Sequence, residues 1–475
     1  MFSWKKRSSR HNKQVSTSVD QGALLKRALR WIVAPDTFAN MRRHGNVNWN
    51  PHHLVTLAVL FAWSDAPKMT RCFEKAAKLS QNLFGVLAVE TFQGMVRALV
   101  TYGSQLIPCL WTRLQTLMEQ VAAQHFRFGK WVPLAVDGSR FTTPRTRSNE
   151  QAYAAKNYGS GKMAKSRAKW KNKKKRSKKL STPVKPQIWL TLVWHMGLKL
   201  PWCWKTGPSN SSERDQLIEL IGSHEFPENT LFCGDAGFTG YEFWNAILEQ
   251  GHQFLVRVGG NVRLLKNLGH ARQGNGVVCL WPNAAARRKQ PPIVVRLIEV
   301  KNELGSMYLV TSVLSDRQLS TSALKRLYPL RWGIELHFRA VKQTYGRGKL
   351  RSRNADHALV ELEWSLVALT MIQLLGIREQ QKIDIPPEEC SVAQAIAAIR
   401  HAIDTWNEPV PRSSSMTIQL RQATKDEYTR TKSKTARYQP NFKDKPTTGG
   451  PEVTKATTAQ KLMYKSLTLD NAHAA

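Results

Sequence analysis

The sequence of 475 residues predicts an α/β protein with a mixed β-sheet flanked by helices, an all-α N-terminal domain and a β-rich insertion. Three observations predict this class. Apolar residues recur at helical spacing from residue 21 to about 127, short strand-like apolar runs begin at 131, and strands separated by Pro, Gly and Asn follow 259. The chain is longer than one typical domain, so we expect several structural units.

The N-terminal part is predicted to be helical. Residues 1–20 are polar and basic, and we expect a disordered tail. Asn50-Pro51 opens a helix that runs through Trp63, because proline is tolerated at the first helical position. Further helices fit residues 70–79, 89–102 and 105–123. These patterns predict a helical domain over residues 21–128.

The central part is predicted to be an α/β core over residues 129–258. Its short apolar runs are typical of buried strands and lie at 131–136, 187–196, 200–204, 230–233 and 254–258. Helical patterns begin near 212 and 241, between the last three of these strands. Three strands, helix, strand, helix, strand is the order of ribonuclease-H-like folds, so we predict a ribonuclease-H-like mixed sheet.

The remaining part is predicted to hold an insertion, the second part of the core and a tail. Strand patterns at 277–281, 293–300 and 307–314 predict a β insertion over residues 259–318. Helices at 323–345 and 361–377 complete the core over residues 319–380. We expect residues 381–475 to be a helical and flexible tail, with a helix at 392–406 and a polar, Lys- and Thr-rich segment beyond about 424.

Charge is the most informative feature of the composition. Lys and Arg number 71 against 34 acidic residues, a formal net charge of +37. This predicts a polyanionic partner, and nucleic acid is the commonest one. A membrane surface is the rival, but no basic amphipathic helix, lipidation signal or secretory signal accompanies the charge, and the longest apolar runs are too short to span a bilayer. We therefore predict no membrane partner and a cytoplasmic, nucleoid-associated protein.

Cysteine and histidine patterns do not predict a metal site. The six cysteines are scattered without a C-x-x-C pair, which excludes zinc-ribbon and disulfide frameworks and indicates reduced thiols. The histidines lack the i,i+4 spacing of a ligand pair.

Residues 156–179 form a low-complexity basic segment. It holds twelve Lys or Arg among 24 residues and no acid, and it includes the run Lys173, Lys174, Lys175 and Arg176. One interpretation is a solvated loop between two strands. The other, which we favour, is an arm that contacts DNA phosphates.

Two aspartates occupy similar positions after predicted strands. Asp137 and Asp235 each lie beyond a short apolar run and beside glycine, in Val136-Asp137-Gly138 and Gly234-Asp235-Ala236. Strand ends at one edge of a sheet are where functional sites collect. Asp137-Gly138 predicts the exit turn of the first strand, and either aspartate alone could be an ordinary turn residue. Their recurrence in a strongly basic protein favours a site.

A third carboxylate belongs to a predicted helix. At about 100° per residue, Arg331 and Lys342 fall within about 40° of Glu335, so the three line one edge of the helix beside an apolar stripe. The alternative is a solvated helix edge with i,i+4 pairing. Hydrolysis of a phosphodiester by two metal ions requires several carboxylates, and oxygen ligands suit Mg²⁺ or Mn²⁺. Asp137, Asp235 and Glu335 are of the residue type that such a site requires, and we expect them to be catalytic residues and ligands of two Mg²⁺ ions, which Mn²⁺ can replace, if they meet in one site, a link that rests on the resemblance described next.

The residues around Glu335 carry a family resemblance. Tyr328, Arg331, Glu335 and Lys342 meet the Tyr-x2-Arg-x3-Glu-x6-Lys pattern, and the chain resembles DDE transposases of the IS4 family over roughly residues 131–377. The resemblance implies cut-and-paste transposition of double-stranded DNA, namely excision at the inverted repeats of the element and integration into a target by a synaptic homodimer.

The resemblance also implies residues that contact DNA. Tyr328, Arg331 and Lys342 would grip DNA, and Trp332 would lie near a flipped base. A second stacking tryptophan is expected from the insertion, where Trp281 is the candidate. We also predict that Arg339 and the helical N-terminal domain bind DNA.

Two rival functions are weighed against an active transposase. The first is a DNA-binding relative that has lost catalysis, which the intact acidic and family-pattern residues disfavour. The second is a ribonuclease-H-like structural nuclease, which the helical N-terminal domain and the β insertion disfavour.

Overall fold

A computed structural model of the protein describes residues 18–154, 185–269, 276–302, 305–425 and 449–473. The basic segment 156–179, with Lys173, Lys174, Lys175 and Arg176, lies outside the described residues. So does most of the predicted N-terminal tail.

The N-terminal part of the structure is helical, as predicted. A short strand, β1 (Ser18–Asp20), precedes helices α1 (Gln21–Ile32), α2 (Pro51–Trp63), α3 (Met69–Phe84), α4 (Phe92–Val121) and α5 (Ala123–Phe126). Asn50 caps α2 by accepting from the His52 backbone N–H, the start that Asn50-Pro51 predicted. The break predicted near residue 103 is wrong, because α4 continues through Pro108. The apolar face of α4, which includes Leu106 and Leu110, stays buried on both sides of Pro108. The packing of this face therefore outweighs the tendency of proline to end a helix.

The core has the predicted five strands and two helices in the predicted order, with one additional short helix, which was not predicted, between its first two strands. Strand β2 (Val132–Thr142) is followed by α6 (Arg147–Tyr153), β3 (Gln187–His195) and β4 (Leu200–Gly207), and then by α7 (Glu213–Ser223), β5 (Thr230–Gly234), α8 (Tyr241–Glu249) and β6 (Gln253–Val258). These five strands are neighbours in the order β4-β3-β2-β5-β6. β3 is antiparallel to β2 and β4, whereas β2, β5 and β6 are parallel.

The insertion extends this same sheet. It comprises β7 (Arg263–Lys266), β8 (Val277–Leu280), α9 (Asn283–Arg287), β9 (Ile293–Asn302) and β10 (Gly305–Thr311). β10 pairs antiparallel with β6, and β9, β8 and β7 follow outwards. Three of these strands were predicted, and β7 was not.

The C-terminal part begins with a helical segment of changing type. Helix α10 (Thr321–Leu327) leads into a 3₁₀ turn (Tyr328–Trp332), α11 (Gly333–Arg339) and a π turn (Ala340–Thr344). Helices α12 (Ala355–Gln381) and α13 (Val392–Asp404), strand β11 (Pro409–Pro411) and α14 (Met416–Gln422) follow. β11 pairs antiparallel with β1, which joins the start of the N-terminal helices to the segment after α13.

Part of the segment predicted to be flexible beyond residue 424 is structured. Strand β12 (Glu452–Lys455) pairs parallel with β7 at the edge of the sheet, and α15 (Thr458–His473) follows. β12 is largely exposed, so its sequence lacks the apolar alternation that marks a strand. β12 is a strand because it pairs with β7, which lies almost 190 residues earlier in the chain. A pairing over that distance leaves no pattern in the local sequence.

Helix α12 is the centre of the helical layer. By length and composition it could cross a membrane, but 83% of its most apolar stretch is buried inside the protein. It packs against α2, α4, α13 and α14. One hydrophobic core therefore contains both N-terminal and C-terminal helices, and burial from several sides explains why α12 is apolar around its whole circumference.

Candidate active site

Strand register brings the two aspartates together. The parallel pairing of β2 with β5 ends at Ala135 beside Cys233, and Asp137 and Asp235 each follow two residues later. Both side chains therefore reach the same edge of the sheet from neighbouring strands. The predicted exit turn after Asp137 is wrong, because β2 continues to Thr142 through its antiparallel pairing with β3. Asp137 therefore lies just beyond the point where β2 stops pairing with β5, and β2 itself continues past it.

The carboxylates of both aspartates are anchored by the backbone beside them. Asp137 Oδ1 accepts a hydrogen bond from the Gly138 N–H at 2.8 Å, and Asp235 Oδ1 accepts one from the Gly237 N–H at 2.7 Å. The pKa of Asp137 is raised to about 6, mainly by burial; the negative charges of Asp235 and Glu335 contribute to the rise, and the Gly138 N–H and Arg331 oppose it. The three carboxylates thus lie within electrostatic reach of one another.

The helical segment that carries Glu335 is tied to the end of β5. The Tyr328 hydroxyl donates to the Gly234 carbonyl at 3.2 Å. Arg331 is nearly buried and pairs with Glu335, with 3.3 Å between Nη2 and Oε1. Pro329 lies in the first turn of the 3₁₀ stretch, which agrees with the predicted start or kink there. Ion pairing between Arg331 and Glu335 is also what the solvated-edge alternative predicted, but here the pair faces the aspartates.

Lys342 reaches the site from the π turn. Its Nζ donates to Ser139 Oγ at 2.6 Å and lies 5.0 Å from the centre of the Phe141 ring. Ser139 is two residues after Asp137 on β2, so both side chains lie on one face of the strand. The predicted row of Arg331, Glu335 and Lys342 therefore converges on the two aspartates, although three helix types share the segment.

The other predicted DNA-contact residues differ in accessibility. Trp332 is 53% exposed, and it lies beside the exposed Leu330 and Leu336 on the solvent side of the same segment. Arg339 is exposed one turn beyond Glu335. Trp281 is buried, donates to the Gln290 carbonyl and packs edge-on against Tyr464. Its candidacy as a stacking residue is therefore wrong, because contacts with the C-terminal helix α15 cover its ring.

The carboxylates do not form a closed metal cage. Among the described residues, no group of three or more His, Cys, Asp or Glu side chains is arranged to hold a metal ion. The donor chemistry nevertheless fits Mg²⁺ or Mn²⁺, which prefer carboxylate oxygens. Mg²⁺ usually takes one or two carboxylates together with substrate phosphates and water, rather than a dedicated protein cage. Three carboxylates that lie at the same edge of the sheet but do not converge on a single point fit this type of Mg²⁺ binding.

Glu213 is a further acidic residue near the two aspartates. The sequence pattern predicted a helix that begins near this residue but gave no sign of a role in the site. Glu213 is the first residue of α7, and burial raises its pKa to about 7, followed by the charges of Asp137 and Asp235 and opposed by Arg140 and Arg214. A Cβ built on Gly138 would lie 2.6 Å from Glu213 Cγ. The glycine after Asp137 therefore leaves room for this side chain instead of forming a turn.

Comparisons with known proteins identify the family of the chain. Residues 132–371, half of the chain, match the family model of the transposase DDE domain. That stretch begins at β2 and contains Asp137, Asp235 and Glu335. The fold and the site thus define a transposase with a DDE domain.

Two transposases are similar to the chain in sequence. The chain is 25% identical over 332 residues to the transposase InsG of insertion sequence element IS4 from Escherichia coli (strain K12), covering 67% of this chain and 68% of that protein. It is 28% identical over 149 residues to the putative transposase y4zB of Sinorhizobium fredii (strain NBRC 101917 / NGR234), covering 30% of this chain and 41% of that protein. The chain belongs to the IS4 family of DDE transposases.

One solved structure resembles the chain weakly. The cryo-EM structure of the piggyBac transposase synaptic complex with hairpin DNA aligns over 89% of both chains with a TM-score of 0.38 and 11% identity.

Proposed function

We propose that this chain is a cut-and-paste DNA transposase whose catalytic residues are Asp137, Asp235 and Glu335. The observation that carries the proposal is the register of β2 and β5, which sets the two aspartates side by side at the point where the Tyr328–Lys342 segment brings Glu335. The strand order β4-β3-β2-β5-β6 with β3 antiparallel supports a ribonuclease-H-like core. Membership of the IS4 family supports the reaction class.

The three carboxylates would hold two Mg²⁺ or Mn²⁺ ions. When bound, the ions supply activation of water or a 3′-OH and stabilise the leaving oxygen of the phosphodiester. The residues themselves set the charge of the site. Arg331 pairs with Glu335 and Lys342 lies beside Asp137, so both cations offset the negative charge of the carboxylates and would also attract DNA phosphates that approach the site.

The DNA partner would lie across the exposed side of this segment. The hydrogen bond from Tyr328 to the Gly234 carbonyl positions the helical segment that carries Glu335. On its exposed side, Trp332 presents its indole ring, and Arg339 adds a cation one helical turn after Glu335. A net charge of +37 supports binding to duplex DNA, both at the ends of the element and at the target. Two ends must be held together for transposition, so we infer a homodimer that acts in the cytoplasm on nucleoid DNA.

The test is cleavage of DNA that carries the ends of the element, in Mg²⁺. Asp137→Asn, Asp235→Asn and Glu335→Gln are expected to abolish cleavage while binding of the same duplex remains close to wild type. Asp215→Asn is the matched control, because Asp215 is an exposed acid on α7 and its loss should leave cleavage intact. Undiminished cleavage by any of the three variants contradicts the assignment.

The second candidate function is DNA binding without catalysis. Wild-type protein that binds element ends but cleaves them in neither Mg²⁺ nor Mn²⁺ would favour it.

A further inference from the structure

Glu213 lies directly against the backbone beside Asp137. The Cγ and Cδ atoms of its side chain would be 2.6 and 2.8 Å from a Cβ on Gly138, distances that only a glycine permits. The ring of Trp189 occupies the other side of the same slot, at 2.7 Å. Gly138 therefore admits an acidic side chain to the strand that carries Asp137.

Among the described residues, no pairing explains the position of Glu213. No described side chain forms a hydrogen bond or ion pair with its carboxylate. Asp137 and Asp235 are close enough to act on it electrostatically, with Arg140 and Arg214 as the nearest opposing charges. A carboxylate held among two others without a direct partner is electrostatically unfavourable unless a cation joins them.

The simpler explanation for Glu213 is its place at the start of α7. Acidic residues favour helix N-termini because of the helix dipole. Asp215 lies in the same first turn, beside the Ser212 cap. Asp215 is exposed, whereas Glu213 is partly buried against β2. The dipole therefore accounts for an acid in this turn but not for the glycine slot that receives Glu213.

We propose that Glu213 is a fourth carboxylate of the active site, which helps to hold divalent cations together with Asp137, Asp235 and Glu335. This inference rests on the proposed function. It assigns a role to Gly138 as well: the residue after Asp137 must lack a side chain so that an acid from α7 can approach.

The test is Mn²⁺ binding, measured as free Mn²⁺ by electron paramagnetic resonance during titration of the full chain bound to duplex DNA. Glu213→Gln keeps the shape of the side chain and is expected to weaken Mn²⁺ binding about tenfold or more, the usual cost of losing a supporting group of a metal site. Gly138→Ala, which displaces Glu213, is expected to weaken it in the same direction. Asp215→Asn is the control and should bind Mn²⁺ as the wild type does.

The outcomes separate this inference from the proposed function. Wild-type Mn²⁺ affinity in Glu213→Gln, together with weakened binding in Asp137→Asn, overturns the role of Glu213 and leaves the three-carboxylate site standing. Equal weakening in Glu213→Gln and Asp215→Asn also overturns it, because a helix-dipole effect would then be responsible. No Mn²⁺ binding by the wild type, or full binding by Asp137→Asn, overturns both.

Discussion

Asp137→Asn is expected to stabilise the metal-free protein at alkaline pH. The pKa of Asp137 in the folded chain, about 6, lies above its ordinary value of 3.8, with burial as the main cause. The folded state therefore binds this proton more tightly than the unfolded state does. Stability from the protonated carboxyl is present below about pH 4 and is lost as pH rises to about 6, so above pH 6 the ionised carboxylate destabilises the folded chain.

The magnitude follows from the two pKa values. A change from 3.8 to about 6 corresponds to about 3 kcal/mol at roughly 1.4 kcal/mol per tenfold change in a proton affinity. Asp137 is only partly buried, so we expect solvent screening to reduce the effect to about 1–2 kcal/mol. For a chain of this size that gain corresponds to about 1–3 °C in Tm.

The assay is thermal unfolding of both proteins in EDTA near pH 8 and near pH 4. The Tm of Asp137→Asn should exceed that of the wild type near pH 8, and the difference should vanish near pH 4. Asp36→Asn, at an exposed position, removes the same charge and should show no such pH-dependent gain. A Tm for Asp137→Asn at or below the wild-type value near pH 8 would refute the reasoning, as would an equal gain at both pH values.

The remaining predictions concern the supports of the site. Ser139→Ala removes the acceptor of Lys342 Nζ, and cleavage should fall about 10- to 100-fold, in line with the roughly 1.5–3 kcal/mol of a hydrogen bond to a charged group. In the Lys342→Ala background the same change should have no effect, and an additive loss would contradict the link. Gly333→Ala puts a Cβ 2.1 Å from the Trp194 ring, so we expect a loss of about 1–3 kcal/mol from overpacking, measured as a lower Tm; an unchanged Tm would show that α11 can shift freely. Glu379 is 1% exposed and pairs with three cations. Glu379→Ala should therefore destabilise the helical layer by about 3–5 kcal/mol, measured by urea unfolding, whereas an unaffected midpoint would mean that solvent replaces the carboxylate.

The order of the core elements could be predicted because it rests on local periodicity. Short apolar runs marked β2 to β6, and the shift to helical spacing marked α7 and α8. The N-terminal helices were predictable for the same reason, since Asn50-Pro51 and the apolar spacing act within a few residues. Whether residues 21–128 form a separate domain stays a prediction, and their helices share a core with α12.

The site residues could be named but their relation could not be derived from spacing alone. Helix geometry aligned Arg331, Glu335 and Lys342, and the family pattern linked them to the aspartates. The exit turn expected after Asp137 was wrong because Asp-Gly is a common turn dipeptide, whereas this glycine admits the side chain of Glu213. Close packing of that kind involves residues about 75 positions apart and leaves no local pattern.

By itself, the sequence determined the class of fold and the basic character of the protein and named three candidate acids, because each follows from composition, periodicity or a short motif. Only the tertiary structure decided which groups meet. The register of β2 and β5 brings Asp137 beside Asp235. Lys342 donates a hydrogen bond to the hydroxyl of Ser139 on β2, and β12 is held by its pairing with β7, which is far away in the sequence. These contacts join segments far apart in the chain, and their free energy depends on packing and pairing that exist only once the sheet has formed.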